Sequence, residues 1–183
     1  MSSGLNARMV KHRVFLVEKQ PILLHGITRL INGQPDLEVC GDCEEGATAF
    51  ANIEAINPDV MIVDLPLKRS ASCTLIKSLV ELDPKLAILV LASDEDALYT
   101  VQCLQAGAVG LVMKKEPMES ILLAIRRILE GQVYLSNSLK AKLVRAMAGS
   151  RKADVSSGSR NHDESAVWGL FRQGLGTGQS STP

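Results

Sequence analysis

The stretch NPDVMIVDL, residues Asn57–Leu65, decides the fold class of this chain. Its centre, Val60–Val63, is a short apolar run without interruption, which is typical of a strand that is buried on both faces of a parallel sheet. Similar runs occur at Arg13–Val17, Leu37–Val39, Leu86–Leu91 and Val109–Met113. The sequence therefore predicts five buried strands.

Patterns of helical spacing lie between these runs, at residues 21–31, 47–56, 74–82, 97–106 and 118–129. Pro21 and Pro117 open the first and the last of them, and proline is favoured in the first turn of a helix. Strands and helices thus alternate strictly over about 120 residues, a pattern of doubly wound α/β domains whose right-handed crossovers bury the sheet on both sides. We expect an α/β domain over residues 12–135.

The character of the chain changes after this domain. Ser136 is a suitable cap for a short helix or linker over residues 136–149. From Arg151 onward, 13 of the last 33 residues are Gly, Ser or Thr and only eight are apolar. Because so few apolar side chains cannot offset the entropy of ordering, residues 150–183 are predicted to be a mostly disordered tail.

The charge and hydropathy of the chain indicate where the protein is located and which kinds of partner it does not attract. Lys and Arg together number 20, as do Asp and Glu, so no bulk field attracts the chain to nucleic acid or anionic lipid. No stretch approaches the roughly 18 uncharged apolar residues of a membrane span, and Met1–Arg13 has no apolar segment typical of a signal peptide. We expect a cytoplasmic protein that makes no contact with a membrane.

Charged side chains follow several predicted strands. In an open parallel sheet, ligands bind outside the carboxyl ends of the strands. Those ends carry Glu18–Lys19, Asp64, Ala92–Ser93 and Lys114–Lys115. Two acids and at least two lysines at one edge indicate a candidate site, although charged residues also mark strand ends without any function.

Four stretches resemble the receiver domains of NarL/FixJ-type (LuxR-type) response regulators. They are PDLEVCGDCEEG (Pro35–Gly46), NPDVMIVDL (Asn57–Leu65), QAGAVGLVMK (Gln105–Lys114) and GQVYLS (Gly131–Ser136). The resemblance implies a flavodoxin-like receiver with strand order 2-1-3-4-5. It also implies a role in two-component phosphorelay signalling. An enzyme is not expected, because we find no nucleophile–base pair, glycine-rich phosphate loop or metal triad.

The resemblance assigns roles to two residues of the edge. Asp64 falls on the aspartate that accepts a phosphoryl group from a histidine kinase, and Lys114 on the lysine that contacts the phosphoryl oxygens. In the family, two adjacent acids after strand 1 hold Mg²⁺ together with the acceptor. Here those positions read Glu18 and Lys19. The metal set is therefore reduced to Glu18 and Asp64.

Two switch positions also depart from the family pattern. The hydroxyl residue that ends strand 4 falls on Ala92, and Ser93 comes one residue late, which in a strand points it to the opposite side. The family has an aromatic residue three positions before the lysine, and here that position is occupied by Leu111. Ser93 remains the candidate for phosphoryl contact at this strand end.

These substitutions change the electrostatics of the site. The charges of Glu18, Lys19, Asp64 and Lys114 sum to zero, so nothing demands a divalent cation. The ammonium of Lys19 is expected to lie beside Asp64 in place of Mg²⁺. The sequence thus predicts a pseudo-receiver that needs no cofactor and acts through protein–protein contacts. The alternative is a conventional Mg²⁺-dependent receiver phosphorylated on Asp64, which regulates transcription directly or through a DNA-binding relative.

The partners expected from the resemblance are a histidine kinase or another response regulator. A homodimer or heterodimer through helices 1 and 5 is a further expectation. The fragment LFRQGLGTGQ (Leu170–Gln179) resembles the start of a helix-turn-helix domain, which suggests a truncated or frameshifted end. Only 33 residues follow Ser150, too few to include a recognition helix, so specific DNA binding by this chain is not expected.

Overall fold

The structure, a computed structural model, describes residues 10–64, 69–93 and 97–154. Strands and helices alternate along these ranges. The strands are β1 (His12–Val17), β2 (Leu37–Cys43), β3 (Val60–Asp64), β4 (Ala87–Ala92), β5 (Gly110–Met113) and β6 (Tyr134–Leu135). The helices are α1 (Pro21–Asn32), α2 (Gly46–Ile56), α3 (Arg69–Leu82), α4 (Ala97–Gln105), α5 (Glu119–Leu129) and α6 (Asn137–Asp154).

The strands form one parallel sheet in the order β2-β1-β3-β4-β5-β6. The α/β fold and the order of the first five strands are confirmed. The expected number of five is wrong, because Tyr134 and Leu135 pair with Gly110 and Leu111 as a sixth strand. Two residues are too few to show a period-2 pattern, so this strand was not predictable from periodicity.

Two helical layers bury the sheet. Helices α1 and α5 cover one face, which receives Val60 and Ile62 of β3, and the other four helices cover the opposite face, which receives Met61 and Val63. Side chains of a strand alternate between its faces, so one uninterrupted apolar run supplies both layers. This explains why the central strands carry no alternating polar residues.

Local signals set the helix ends. Pro21 opens α1, where its missing N–H leaves no hydrogen bond unmade. Asn57 ends α2 in the left-handed conformation, with φ of 48°, and its N–H donates to Ile53 O at 2.7 Å. Asparagine is one of the residues that tolerate this conformation, and the turn aims the chain into β3.

Helix α6 is longer than the predicted helix or linker at residues 136–149, since it runs from Asn137 to Asp154. Its Leu139 and Leu143 are buried in the layer that contains α4. The first turns of α6 therefore pack against the α/β domain. Residues 155–183 lie outside the described residues, so the expectations for the tail and for DNA binding stay predictions. Within the described ranges, no helix is both long and apolar enough to cross a membrane.

Candidate functional site

Three charged side chains meet at the carboxyl edge of the sheet, and we call them the acid pocket: Glu18, Asp64 and Lys114. Glu18 follows β1, Asp64 ends β3, and Lys114 follows β5. Glu18 is 2% exposed and Asp64 6%. Because β1 and β3 are neighbours in a parallel sheet, their ends deliver both carboxyl groups to one place.

Lys114 reaches the two acids across the end of β4. Its backbone N–H donates to Ala92 O at 2.9 Å, which fixes the start of the side chain. Its Nζ donates to Asp64 Oδ2 and lies 3.5 Å from Glu18 Oε2. One ammonium group therefore contacts both buried carboxyl groups.

Glu18 is held in the pocket by two backbone contacts. Its own N–H donates to Cys43 O at 3.0 Å, and its Oε1 accepts a 2.7 Å hydrogen bond from the backbone N–H of Gln20. Its Oε2 is buried without a hydrogen-bond partner. Burial raises the pKa of Glu18, the Gln20 N–H opposes the rise, and the carboxyl group of Asp64 adds to it. The pocket therefore disfavours the charged form of Glu18.

Lys19 does not make the contact expected from the sequence. Its side chain is exposed, and among the ion pairs of the described residues the lysine that contacts Asp64 is Lys114. Successive side chains of an extended segment point in opposite directions, so a buried Glu18 sends Lys19 to the solvent. The prediction of a cation beside Asp64 named the wrong lysine. The same alternation could have corrected it.

The two switch positions lie where the strand assignments place them. Ala92 is buried as the last residue of β4, and Ser93 follows it with an exposed side chain. Leu111 is fully buried in β5, in the apolar cluster that also contains Leu135. Ser93 adjoins residues 94–96, which are outside the described ranges, so its contact with a phosphoryl group stays a prediction.

Comparison with known proteins identifies the family. Residues 14–126 match the family described as the response regulator receiver domain. The chain therefore belongs to the response regulator receiver domains of two-component systems.

Among curated proteins, the chain is similar to the oxygen regulatory protein NreC of two staphylococci. It is 28% identical to that of Staphylococcus epidermidis over 148 residues, covering 80% of this chain and 68% of the relative. The NreC protein of Staphylococcus aureus is 27% identical over 148 residues, with the same coverage. This chain thus spans about two thirds of the length of these relatives.

Two solved structures show the same fold. A LuxR-family two-component response regulator from Aurantimonas sp. SI85-9A1 superimposes with a TM-score of 0.71 at 23% identity, covering 75% of this chain and 99% of that one. The isolated REC domain of RcsB from Salmonella enterica serovar Typhimurium, in the presence of phosphomimetic BeF3-, gives a TM-score of 0.65 at 22% identity. That match covers 72% of this chain and 97% of the RcsB domain.

The acid pocket offers fewer carboxylates than the Mg²⁺ site that the receiver resemblance implies, because Lys19 stands at the position of the second acid. Mg²⁺ prefers near-octahedral oxygen coordination. The described residues contain no group of three or more acidic, histidine or cysteine side chains that could hold a metal ion. The two carboxyl groups that remain already face the ammonium of Lys114, so the positive charge beside them comes from the protein.

Proposed function

We propose that this chain is a degenerate receiver, a pseudo-receiver that signals through protein–protein contacts while Lys114 partly neutralises the two acids of its pocket. The observation that carries the proposal is that, among the described residues, two carboxyl groups rather than three meet the ammonium of Lys114, those of Glu18 and Asp64. Lys19, at the position of the family's second acid, is exposed and removes a metal ligand. In this proposal Lys114, at the position of the lysine that the family also has, supplies the positive charge beside the two remaining acids.

The chemistry of phosphoryl transfer supports this function. A metal ion normally neutralises the charge that develops on the transferring group and orients it toward the acceptor. With Glu18, Asp64 and Lys114 ionised, the pocket carries one net negative charge. A carboxylate that accepts a hydrogen bond from an ammonium group is also a weaker nucleophile than a free one. Both effects slow the attack of Asp64 on a phosphodonor.

One observation favours the alternative, a conventional receiver phosphorylated on Asp64 by a histidine kinase. Glu18 Oε2 is buried 3.5 Å from Lys114 Nζ without a hydrogen-bond partner, and leaving a buried acceptor unsatisfied is costly, so a metal ion that coordinated this oxygen would supply a contact that it lacks. In that case Glu18 and Asp64 bind Mg²⁺, and Lys114 contacts the phosphoryl oxygens. The chain then regulates transcription directly or through a DNA-binding relative.

A small-molecule phosphodonor separates the two functions. The protein is incubated with acetyl phosphate and Mg²⁺, and phosphate incorporation is measured by intact-protein mass spectrometry. We expect little incorporation in the wild type, and in Lys19→Asp an increase of more than about tenfold that depends on Mg²⁺, because the third carboxylate is restored. Near-complete incorporation by the wild type, lost in Asp64→Asn, would establish the conventional receiver instead.

A remote charge change provides the matched control for that experiment. Lys85 is exposed in the turn before β4, away from the carboxyl edge. Lys85→Asp changes the net charge as much as Lys19→Asp does, without adding a ligand to the pocket. We expect it to incorporate as little phosphate as the wild type. An equal rise in both variants would assign the effect to net charge and contradict the proposed role of the missing ligand.

The proposed partners are a histidine kinase, another response regulator or a second copy of this chain. Helices α1 and α5 expose Ile22 (91%) and Leu123 (49%), and the partly exposed Met118 side chain before α5 occupies the space that a Cβ at Gly26 of α1 would need. A structure of the related RcsB contains dimers bound to DNA. We expect sedimentation velocity to show a concentration-dependent dimer that Leu123→Asp weakens and Leu82→Asp does not. A monomer at every concentration would exclude self-association.

A further inference from the structure

The turn that carries Lys114 is hydrogen-bonded to the beginning of α6. Ser138 Oγ donates to Glu116 Oε1 at 2.7 Å, and Ser136 Oγ lies 3.2 Å from Ser138 Oγ. Ser136 is fully buried. Glu116 is only two residues from the lysine that contacts both acids, so the acid pocket and α6 are joined by a short covalent path and one charged hydrogen bond.

The turn itself leaves little freedom between Lys114 and Glu116. The N–H of Lys114 donates to Ala92 O at 2.9 Å, and the N–H of Glu116 donates to Met113 O at 2.9 Å. A movement that draws the backbone of Lys114 toward or away from the acids must therefore rotate a turn that is hydrogen-bonded at both ends. The carboxyl group of Glu116 moves with that turn.

On the other side of this contact, α6 covers an apolar surface. Leu139 and Leu143 are buried in the cluster that contains Cys103 of α4 and Leu111 of β5. The N–H of Ser136 donates to Leu111 O at 3.1 Å, which ties the start of the helix to the sheet. If α6 loosens, this α4–β5 surface loses part of its cover.

We propose that the Glu116–Ser138 hydrogen bond is a latch that couples the acid pocket to α6. While Lys114 contacts both acids, the latch is closed and α6 stays on the α4–β5 surface. A change of charge in the pocket that displaces Lys114 strains the turn, weakens the latch and frees the first turns of α6. This inference goes beyond the proposed function, because the latch is independent of whether phosphate or another ligand displaces the lysine.

Hydrogen exchange of the full-length chain, without phosphodonor or Mg²⁺, tests the latch. Loss of a hydrogen bond to a charged group is expected to speed exchange of the amides at residues 139–143 by about tenfold in Ser138→Ala and in Glu116→Gln. The double variant should exchange no faster than the faster single one, because both remove the same contact. Amides of β1 and β3 should keep wild-type protection.

Asn137→Ala is the matched control, since Asn137 lies in the same turn of α6 with an exposed side chain. We expect it to change exchange of these amides by less than about twofold. The latch would be overturned if α6 kept wild-type protection in Ser138→Ala. It would also be overturned if the acceleration in the double variant equalled the product of the accelerations in the two single variants.

A substitution in the pocket tests the coupling rather than the contact alone. Lys114→Met lowers the stability of the whole domain, so its effect on residues 139–143 is measured relative to the amides of β1 and β3 in the same variant. Relative to those amides, exchange at residues 139–143 should speed up by a factor similar to that of Glu116→Gln, and combining the two should add nothing further. Normal protection of α6 in Lys114→Met would show that the pocket and the helix are uncoupled. Because no phosphate is present, this result is independent of the phosphorylation experiment.

Discussion

The two edges of the sheet carry similar kinds of charged residues, but they differ in how far these side chains are exposed to water. At the amino edge, His12 Nδ1 lies 3.6 Å from Asp59 Oδ2, and Arg126 binds Asp36 at 3.2 Å. These side chains are between 32% and 50% exposed. At the carboxyl edge, the acid pocket encloses two carboxyl groups almost completely and leaves the side chain of Lys114 17% exposed. The two edges differ in hydration more than in composition.

The comparison shows where the molecule accepts an energetic cost. Exposed ion pairs contribute about 0–1 kcal/mol, because water solvates the charges nearly as well as their partners do. A buried pair has to offset desolvation, and the pocket does so incompletely, since Glu18 Oε2 has no hydrogen-bond partner. A cluster that is not optimised for stability at the ligand-binding edge of a parallel sheet indicates a functional site.

Removal of the pocket cation should produce the largest effect. Lys114→Met leaves Glu18 and Asp64 buried beside each other without a counter-charge. We expect the free energy of unfolding at neutral pH to fall by about 3–5 kcal/mol, measured by urea denaturation.

The matched control removes a cation from the amino edge. Arg126→Met breaks the exposed pair with Asp36, and we expect a loss below about 1 kcal/mol. Similar losses in both variants would show that burial does not determine how much an ion pair contributes to the free energy of unfolding. That result would contradict the difference proposed between the two edges.

A smaller effect is expected in the pH dependence of stability from Glu18. Its pKa is raised above the ordinary value of 4.5, chiefly by burial, so the folded state holds this proton more tightly than the unfolded state. The stability that this proton provides is present below pH 4.5 and is lost as the pH rises through the folded pKa. Glu18→Gln should remove this decline, and a decline of unchanged slope would assign it to another group.

The smallest effect, of opposite sign, is expected at Asp36. Its hydrogen bond with Arg126 lowers its pKa from the ordinary value of 3.8. The stability that it provides is present above pH 3.8 and is lost as the pH falls through the folded pKa. Asp36→Asn should flatten the acid limb of the stability curve by less than about 1 kcal/mol. If Asp36→Asn changed the free energy of unfolding by more than Lys114→Met does, the charged residues of the amino edge would matter more for stability than those of the acid pocket, contrary to our expectation.

Part of the site was predictable because it depends on patterns within short stretches of sequence. The run Val60–Val63 predicts a buried strand, and a parallel sheet then delivers Asp64 to the same edge as Glu18 and Lys114. The choice of lysine was not correctly predicted. Lys19 is nearer to Glu18 in sequence, but Lys114 reaches both acids from the end of β5.

The sequence by itself determined the order of strands and helices, the family and the residues available at the carboxyl edge. Those properties follow from periodicities of 2 and 3.6 residues and from short motifs, which are encoded within a few positions. Only the tertiary structure decided that Lys114 contacts both Asp64 and Glu18, and that β6 and α6 complete the domain. Each of these depends on contacts between segments far apart in the chain, whose geometry no local pattern records.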